Sequence, residues 1–382
     1  MLFLVLKEVI TIKKILFGIT SLTLGGAERV LVDISNKLSE KYDITIFSIY
    51  DNGELKNDLN KNVKFKALYN CRYDELTKLQ KMWIPIKILL FSKIIYNKKI
   101  KQNYDTEIAF LEGPITRLFS TKNKDVHKIA WIHNDIEKVF GNDLKSKIKK
   151  YIDKKIYKKY NDLVFVSQDN MEKFQNIYND LNTENMHVIY NYIDKDLVIK
   201  KSNYNIKVEF DYNSINFLTV CRLVKQKAID RFIRVHSKLI KQGLKHKVYI
   251  IGDGPEKENL QKLIKQENVE DTFILLGKKE NPYPYIKNAN YFCLLSEFEG
   301  YGMVLEEAKI LNKPIIITNT AARECIENYP KALILENNED EIYDGLYKLL
   351  NDNDDKIFNN TQTSTEYDNT EKLQKIIELV GD

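Results

Sequence analysis

Short apolar segments alternate with helical ones along most of this 382-residue chain, in two series separated by a polar stretch, and that alternation restricts the fold more than any other feature. Ile15 to Thr20, Tyr42 to Tyr50, Thr106 to Leu111, Lys128 to Ile132, Leu163 to Ser167 and Met186 to Tyr190 read as strands of a first series. Asn216 to Cys221, Val248 to Gly252, Phe273 to Leu276, Tyr291 to Leu295, Pro314 to Thr318 and Ala332 to Leu335 form the second. Ala27 to Lys41 and Ser146 to Tyr160 have helical character between strands, so the pattern is that of parallel βα units. The polar residues Asp194 to Ser214 read as a linker, and Glu339 to Asp382 as a mostly helical tail. The chain exceeds the usual size of one hydrophobic core, which makes two α/β domains the expectation, at 1–198 and 199–360.

Charge is uneven between the halves. Residues 1–190 hold 32 Lys and Arg against 23 Asp and Glu, a net of +9, and the remainder is net −4. Lys81 to Gln102 has six lysines and no acid among aromatic and aliphatic residues, and Lys145 to Lys159 has eight lysines and one aspartate. A basic segment with apolar anchors reads as a membrane-surface helix, or as a solvated helix face with its apolar side in the core. The longest apolar runs fall short of a bilayer span. The start, Met1-Leu2-Phe3-Leu4-Val5-Leu6, lacks a basic leader and a small-residue cleavage site, so no signal peptide is expected there. Cys71, Cys221, Cys293 and Cys325 are scattered without Cys-x-x-Cys spacing, which supports neither zinc nor a disulfide framework and points to a reducing cytoplasm.

The run Ser296-Glu-Phe-Glu-Gly-Tyr-Gly-Met-Val-Leu-Glu-Glu-Ala308 carries the most chemistry. It joins an apolar strand to a helix through a glycine loop, and a helix opening there presents unpaired amides and a positive dipole end to a phosphate. Glu299 and Glu307 lie on opposite sides of that junction. Carboxylates accept hydrogen bonds from sugar hydroxyls, so the combination suits a nucleotide sugar. Eight residues are a little over two helical turns, so the two acids converge only if Glu299 sits on the loop and Glu307 in the first turns of the helix.

Other candidates also fall at strand ends, where open parallel sheets bind ligands. Arg222 and Lys227 follow a strand, where two fixed cations five residues apart either clamp a diphosphate without a metal or form surface salt bridges. Gly252-Asp253-Gly254-Pro255 ends a strand and allows a tight turn or close approach to a ligand, and Gly25 and Gly26 pose the same choice. Glu112 and Gly113 end a first-domain strand and face an acceptor or form part of the rim. Asp194-Lys195-Asp196 has the spacing of a metal-binding triplet but lies at the linker, so no metal is expected.

Taken in order, these segments resemble the retaining glycosyltransferases of family 4 (glycosyl transferases group 1), whose signature is a Glu, seven residues and a second Glu. Gly25-Gly26-Ala27-Glu28-Arg29, Trp131-Ile132-His133-Asn134, Phe165-Val166-Ser167, Cys221-Arg222-Leu223-Val224-Lys225-Gln226-Lys227, Ile250-Ile251-Gly252-Asp253-Gly254-Pro255 and Asn281-Pro282-Tyr283-Pro284-Tyr285 match the family's pattern over about residues 13 to 330. Cys221 replaces the usual Gly.

The resemblance implies a GT-B fold, two Rossmann-like domains facing across a cleft, with residues 361–382 a helix returning to the first domain. It also implies transfer of a hexose-type sugar, with retention, from a nucleoside diphosphate sugar to a saccharide hydroxyl in capsule, O-antigen or exopolysaccharide synthesis, UDP being the favoured base. In that scheme His133 and Glu299 meet the transferred sugar, Arg222 and Lys227 the diphosphate, and Glu307 the ribose. Gly25, Gly26, Gly252, Gly254 and the backbone of Tyr301, Gly302 and Met303 complete the donor site. No cofactor or metal is called for. The basic first domain adds a lipid-linked acceptor and an anionic membrane surface, hence a cytoplasmic enzyme peripheral on the inner face of the cell membrane. The alternatives are a sugar-nucleotide epimerase on the same fold, a catalytically silent scaffold, or a nucleic-acid-binding protein; nucleic acid is not an expected partner.

Overall fold

The computed structural model describes residues 12–23, 25–51, 53–73, 75–101, 104–121, 123, 125–134, 144–352, 358 and 367–381. The chain divides into two units, residues 1–192 with 370–382, and residues 193–369. The Met1 to Leu6 run lies outside the described residues.

The first unit is a seven-stranded parallel sheet of β1 (Lys14–Ile19), β2 (Asp43–Tyr50), β3 (Lys64–Tyr69), β4 (Thr106–Ala109), β5 (His127–Ile132), β6 (Asp162–Phe165) and β7 (Met186–Val188). Its order is β3-β2-β1-β4-β5-β6-β7. The strand read as starting at Thr106 is shorter than expected, and β3, an edge strand whose residues are only partly buried, was not anticipated. Lys64 and Lys66 interrupt its apolar run, because an edge strand keeps one flank in water. The helix Thr370–Gly381 belongs to this unit, where Thr106 Oγ1 donates to Val380 O at 3.2 Å and Lys13 Nζ to Gly381 O.

The second unit is a six-stranded parallel sheet of β8 (Ile215–Val220), β9 (His246–Ile251), β10 (Phe273–Gly277), β11 (Tyr291–Leu294), β12 (Ile315–Thr318) and β13 (Ala332–Leu335), in the order β10-β9-β8-β11-β12-β13. Alternation along its strands splits the core between the faces. Leu218, Tyr249, Ile251, Phe292, Ile315 and Ile317 pack on one side, and Phe217, Val248, Ile250, Cys293, Leu295 and Ile316 on the other. Burial on both faces is why these strands read as continuous apolar runs.

The stretch read as a linker is ordered. Asp194 caps a helix, Lys195–Ser202, by accepting from the Leu197 amide at 2.9 Å, and Val198, Val208 and Phe210 enter the second core. The Asp-x-Asp triplet therefore has a local explanation, since its first carboxylate is a helix cap.

One buried polar network anchors a helix of the first unit. Helix Lys78–Ile95 opens on a Thr77/Gln80 capping box and runs into a π-helical turn, Tyr96–Ile100. There the Tyr96 phenol donates to Glu107 Oε1 at 2.6 Å, while Lys128 Nζ donates to Glu107 Oε2 at 2.6 Å and to Phe119 O at 2.8 Å. Burial and the Glu107 carboxylate push the Tyr96 hydroxyl well above its ordinary range, so it stays a donor.

Candidate active site

The strand order of the second sheet reverses between β8 and β11, because β9 and β10 build out one side of β8 and β11 to β13 the other. Loops leaving adjacent strands in opposite directions open a crevice at their carboxyl ends. After β8 the chain runs through Cys221, Arg222 and Leu223 into a single 3-10 turn, Lys225–Lys227, and then into helix Ile229–Lys241. After β11 it runs through Ser296 to Gly302 into helix Met303–Ile310.

These two loops are fastened to each other. Gln226 Nε2 donates to Phe298 O at 2.8 Å, and the Glu297 amide donates to Gln226 O at 2.9 Å. Between them Lys227 Nζ forms an ion pair with Glu299 Oε1, the carboxylate being 8% exposed. Sequence reasoning named Lys227 and Glu299 separately; Gln226, which sets their separation, it did not assign. Arg222 is exposed and, among the described residues, makes no ion pair.

Glu307 lies in the second turn of helix Met303–Ile310, where its Oε1 accepts from the Tyr283 hydroxyl at 3.1 Å. Glu299 is on the loop, so the two acids occupy the loop and early-helix positions that convergence requires. The neighbouring Glu306 is fully buried, accepts from the Tyr301 phenol and pairs with Lys309 at 3.3 Å, which makes it a structural acid. Gly302 precedes the helix with no side-chain cap. The Met303 amide donates to Tyr301 O at 3.2 Å and the Leu305 amide to Gly302 O at 2.8 Å, so the amides of Gly302 and Val304 remain without a hydrogen-bond partner among the described residues.

Glycine is required at the end of β9. Gly252 has φ +149, and a Cβ there would stand 1.8 Å from Cys221 O; at Gly254 it would stand 2.3 Å from Leu223 O. The close approach lets Leu223 N donate to Asp253 O at 2.9 Å and Glu256 N to Leu223 O at 3.1 Å. The two glycines therefore press one loop against the backbone of the loop that carries Arg222. Burial raises the Cys221 thiol to about 12, so at neutral pH it is protonated and acts as packing. Gly252→Ala is expected to destabilise the protein by about 2 kcal/mol or more, read as a lowered urea midpoint, because both the backbone region and the space oppose a methyl group.

In the first unit, Gly25 ends the loop after β1 and helix Gly26–Leu38 follows. The Glu28 carboxylate folds back over Gly25, where a Cβ would stand 2.1 Å from Glu28 Oε2, and burial raises the pKa of that acid. His133 follows β5, with its ring against Phe110 at 4.7 Å and Trp131 at 6.4 Å between centroids. Burial lowers its pKa to about 3, so the imidazole is neutral at physiological pH, and its Nε2 has no hydrogen-bond partner among the described residues. Glu112, after β4, is a latch for this loop. Its carboxylate accepts from the amides of His133 at 2.8 Å and Asn134 at 2.7 Å, and from Asn134 Nδ2 at 2.9 Å. No sequence signal marks that role, since its partners stand 21 and 22 residues away.

Among the described residues no cluster of three or more His, Cys, Asp or Glu side chains could hold a metal ion. The second unit offers a paired acid and base at its sheet switch point and open amides at a helix start; the first unit, taken by itself, offers a neutral imidazole.

Residues 200–365 match the model of the family described as glycosyl transferases group 1. The chain is 28% identical over 342 residues to the N-acetylgalactosamine-N,N'-diacetylbacillosaminyl-diphospho-undecaprenol 4-alpha-N-acetylgalactosaminyltransferase of Campylobacter jejuni, covering 87% of this chain and 89% of that one. It is 24% identical over 318 residues to the O-antigen biosynthesis glycosyltransferase WclY of Escherichia coli, covering 80% of each. Among solved structures, HepE of Anabaena in complex with UDP and glucose superposes with a TM-score of 0.74 at 16% identity, covering 96% of this chain and 98% of that one. TarM gives a TM-score of 0.73 at 16% identity over 98% and 99% of the two chains. These likenesses establish the GT-B fold.

Proposed function

We propose that this glycosyltransferase, whose residues 200–365 match the model of the glycosyl transferases group 1, moves a hexose-type sugar from a nucleoside diphosphate sugar, with UDP the favoured base, to a hydroxyl of a lipid-linked saccharide. The transfer proceeds with retention of anomeric configuration and without a metal cofactor, at the inner face of the cell membrane, in the assembly of a surface polysaccharide.

The observation that carries this reading is the Lys227–Glu299 pair at the switch point of the second sheet. A cation held against a carboxylate is poised to exchange partners. As the diphosphate departs and its charge grows, Lys227 turns to it, joined by the exposed Arg222, and Glu299 is released to accept hydrogen bonds from the sugar. The open amides at Gly302 and Val304 lie at the positive end of a helix and add to the phosphate site. Glu307, steadied by Tyr283, takes the ribose hydroxyls. His133 is neutral and so acts as a hydrogen-bonding group toward the transferred sugar; an imidazole this hard to protonate is a poor base.

UDP is favoured because HepE, of the same fold, was solved with UDP and glucose. A lipid-linked acceptor is favoured because the Campylobacter jejuni relative is named for a diphospho-undecaprenol substrate. Glu307→Ala is expected to raise the donor KM or lower kcat/KM at least tenfold, about 1.4 kcal/mol. Steady-state kinetics with UDP-sugars checks this, and wild-type constants would remove Glu307 from the donor site.

A further inference from the structure

Helix Lys78–Ile95 carries two apolar stripes, only one of which the fold uses. Ile84 and Ile88 are buried in the first unit's core. At 3.6 residues per turn, Leu79, Met82, Trp83, Ile86 and Leu90, all ahead of a kink at Phe91, fall within an arc of roughly 100° on the opposite side. All five are exposed, Leu79 to 66%, Trp83 to 58% and Leu90 to 68%. A contiguous apolar strip of that kind on a soluble surface marks an interaction site.

Charge says which surface it meets. Between Glu75 and Asp105 stand seven lysines and no acidic residue. Lys78, Lys87 and Lys93 are exposed on the helix itself, and Lys98 and Lys99 on the turn that follows. The Thr77/Gln80 capping box closes one end of the segment and buried Tyr96 and Ile100 anchor the other, with a kink at Phe91 between them. The second lysine-rich helix, Leu144–Tyr157, packs on the same short helix Pro114–Phe119 as does Lys78–Ile95, and it exposes Ile148 and Tyr151. No described helix is long and apolar enough to cross a membrane.

We propose that the outward strip of helix Lys78–Ile95 is a docking surface for an anionic lipid bilayer. The helix lies flat, with Leu79, Trp83 and Leu90 at the boundary between headgroups and acyl chains and the lysines reaching phosphates beside them. Trp83 suits that depth because its ring is apolar and its N–H finds a polar partner. A run of cations without a single acid fits a surface of uniform negative charge. This inference deepens the membrane location within the proposed function but uses no feature of the donor site, so its failure would leave sugar transfer itself untouched.

Flotation of the full chain with phosphatidylcholine vesicles, and with vesicles enriched in phosphatidylglycerol, tests it. The chain should float with the anionic vesicles and remain behind with the neutral ones. Trp83→Ser combined with Leu90→Ser should abolish flotation, and Lys78→Gln, Lys87→Gln and Lys93→Gln together should weaken it by roughly fivefold per lysine. Trp83 and Leu90 are exposed, so their variant should keep the wild-type melting temperature and the wild-type response to UDP. Equal recovery with both vesicle types, no flotation, or variants that float like the wild type would overturn the proposal. So would the finding that the apolar variant only converts a dimer to a monomer, or that an acidic protein displaces no lipid and alone protects Trp83.

Discussion

Lys227→Ala is expected to lower kcat/KM for sugar transfer by about 10²-fold or more, the scale seen when a preorganised charge facing a developing anion is removed. Two losses coincide. The departing diphosphate loses a cation delivered on a short, fastened turn, and Glu299, 8% exposed, loses its counter-charge. An unpaired carboxylate at that depth costs about 1–3 kcal/mol, so a lower melting temperature should accompany the kinetic defect. Lys227→Arg separates the effects: it keeps the charge near Glu299 and should restore most of the stability, while the planar guanidinium replaces a compact ammonium and should restore only part of the rate. If Lys227→Ala melts like the wild type and turns over like it, the pair is an ordinary ion pair and the donor site lies elsewhere.

The second large effect is acid sensitivity. His236 Nδ1 meets His246 Nε2 at 2.8 Å inside the second unit, His236 Nε2 meets Thr272 Oγ1 at 2.9 Å, and His246 Nδ1 meets Leu244 O at 2.9 Å. Burial first, and the neighbouring imidazole second, lower His236 to about 2; burial lowers His246 to about 4 and His133 to about 3. All three start from an ordinary value of 6.5. The unfolded chain therefore binds more protons than the folded one below that value, and stability rises with pH there. Their stabilising contribution is complete above about pH 6.5 and is lost as pH falls from there toward the depressed folded-state values. For an isolated site, two pH units below its unfolded value correspond to about 2.7 kcal/mol. His236 and His246 share one hydrogen bond, so they count for less than two such sites. Glu28 and Glu112, whose pKa values burial raises, bind protons more readily when folded and offset part of the slope. Urea unfolding between pH 7 and 4.5 should show a net loss, and His236→Gln should flatten the curve; an unchanged slope in that variant would place the acid sensitivity outside the histidine pair.

Most of the architecture was legible because parallel strands buried on both faces write themselves as apolar runs. Ile215 to Val220 and Ile315 to Thr318 are almost wholly apolar for that reason. The failures have the converse cause. β3 carries Lys64 and Lys66 because it is an edge, and the stretch after Asp194 looks like linker because its burial is sparse, limited to residues such as Val198, Val208 and Phe210.

The candidate site was legible where local pattern suffices, as with Glu299, Glu307 and Lys227. It was opaque where partners come from distant strands. The choice between Glu306 and Glu307 shows the limit: the two are adjacent in sequence, yet one is sealed against Tyr301 and the other faces the Tyr283 hydroxyl. Glu112 shows it again, since a carboxylate that reads in sequence as either an acceptor-facing group or a rim charge holds the His133 loop through backbone amides. Gly252 and Gly254 left ligand contact and turn geometry open in sequence, and the backbone of Cys221 to Leu223 accounts for both glycines.

Binding of UDP followed by thermal shift, in wild type, Lys227→Ala and Glu307→Ala, bears most directly on the central claim that a nucleotide sugar is held at the switch point of the second sheet. The account predicts a concentration-dependent rise in the wild-type melting temperature that is strongly reduced in both variants. A wild-type protein unmoved by UDP, GDP and ADP and by their sugars, or variants that respond as the wild type does, would contradict it.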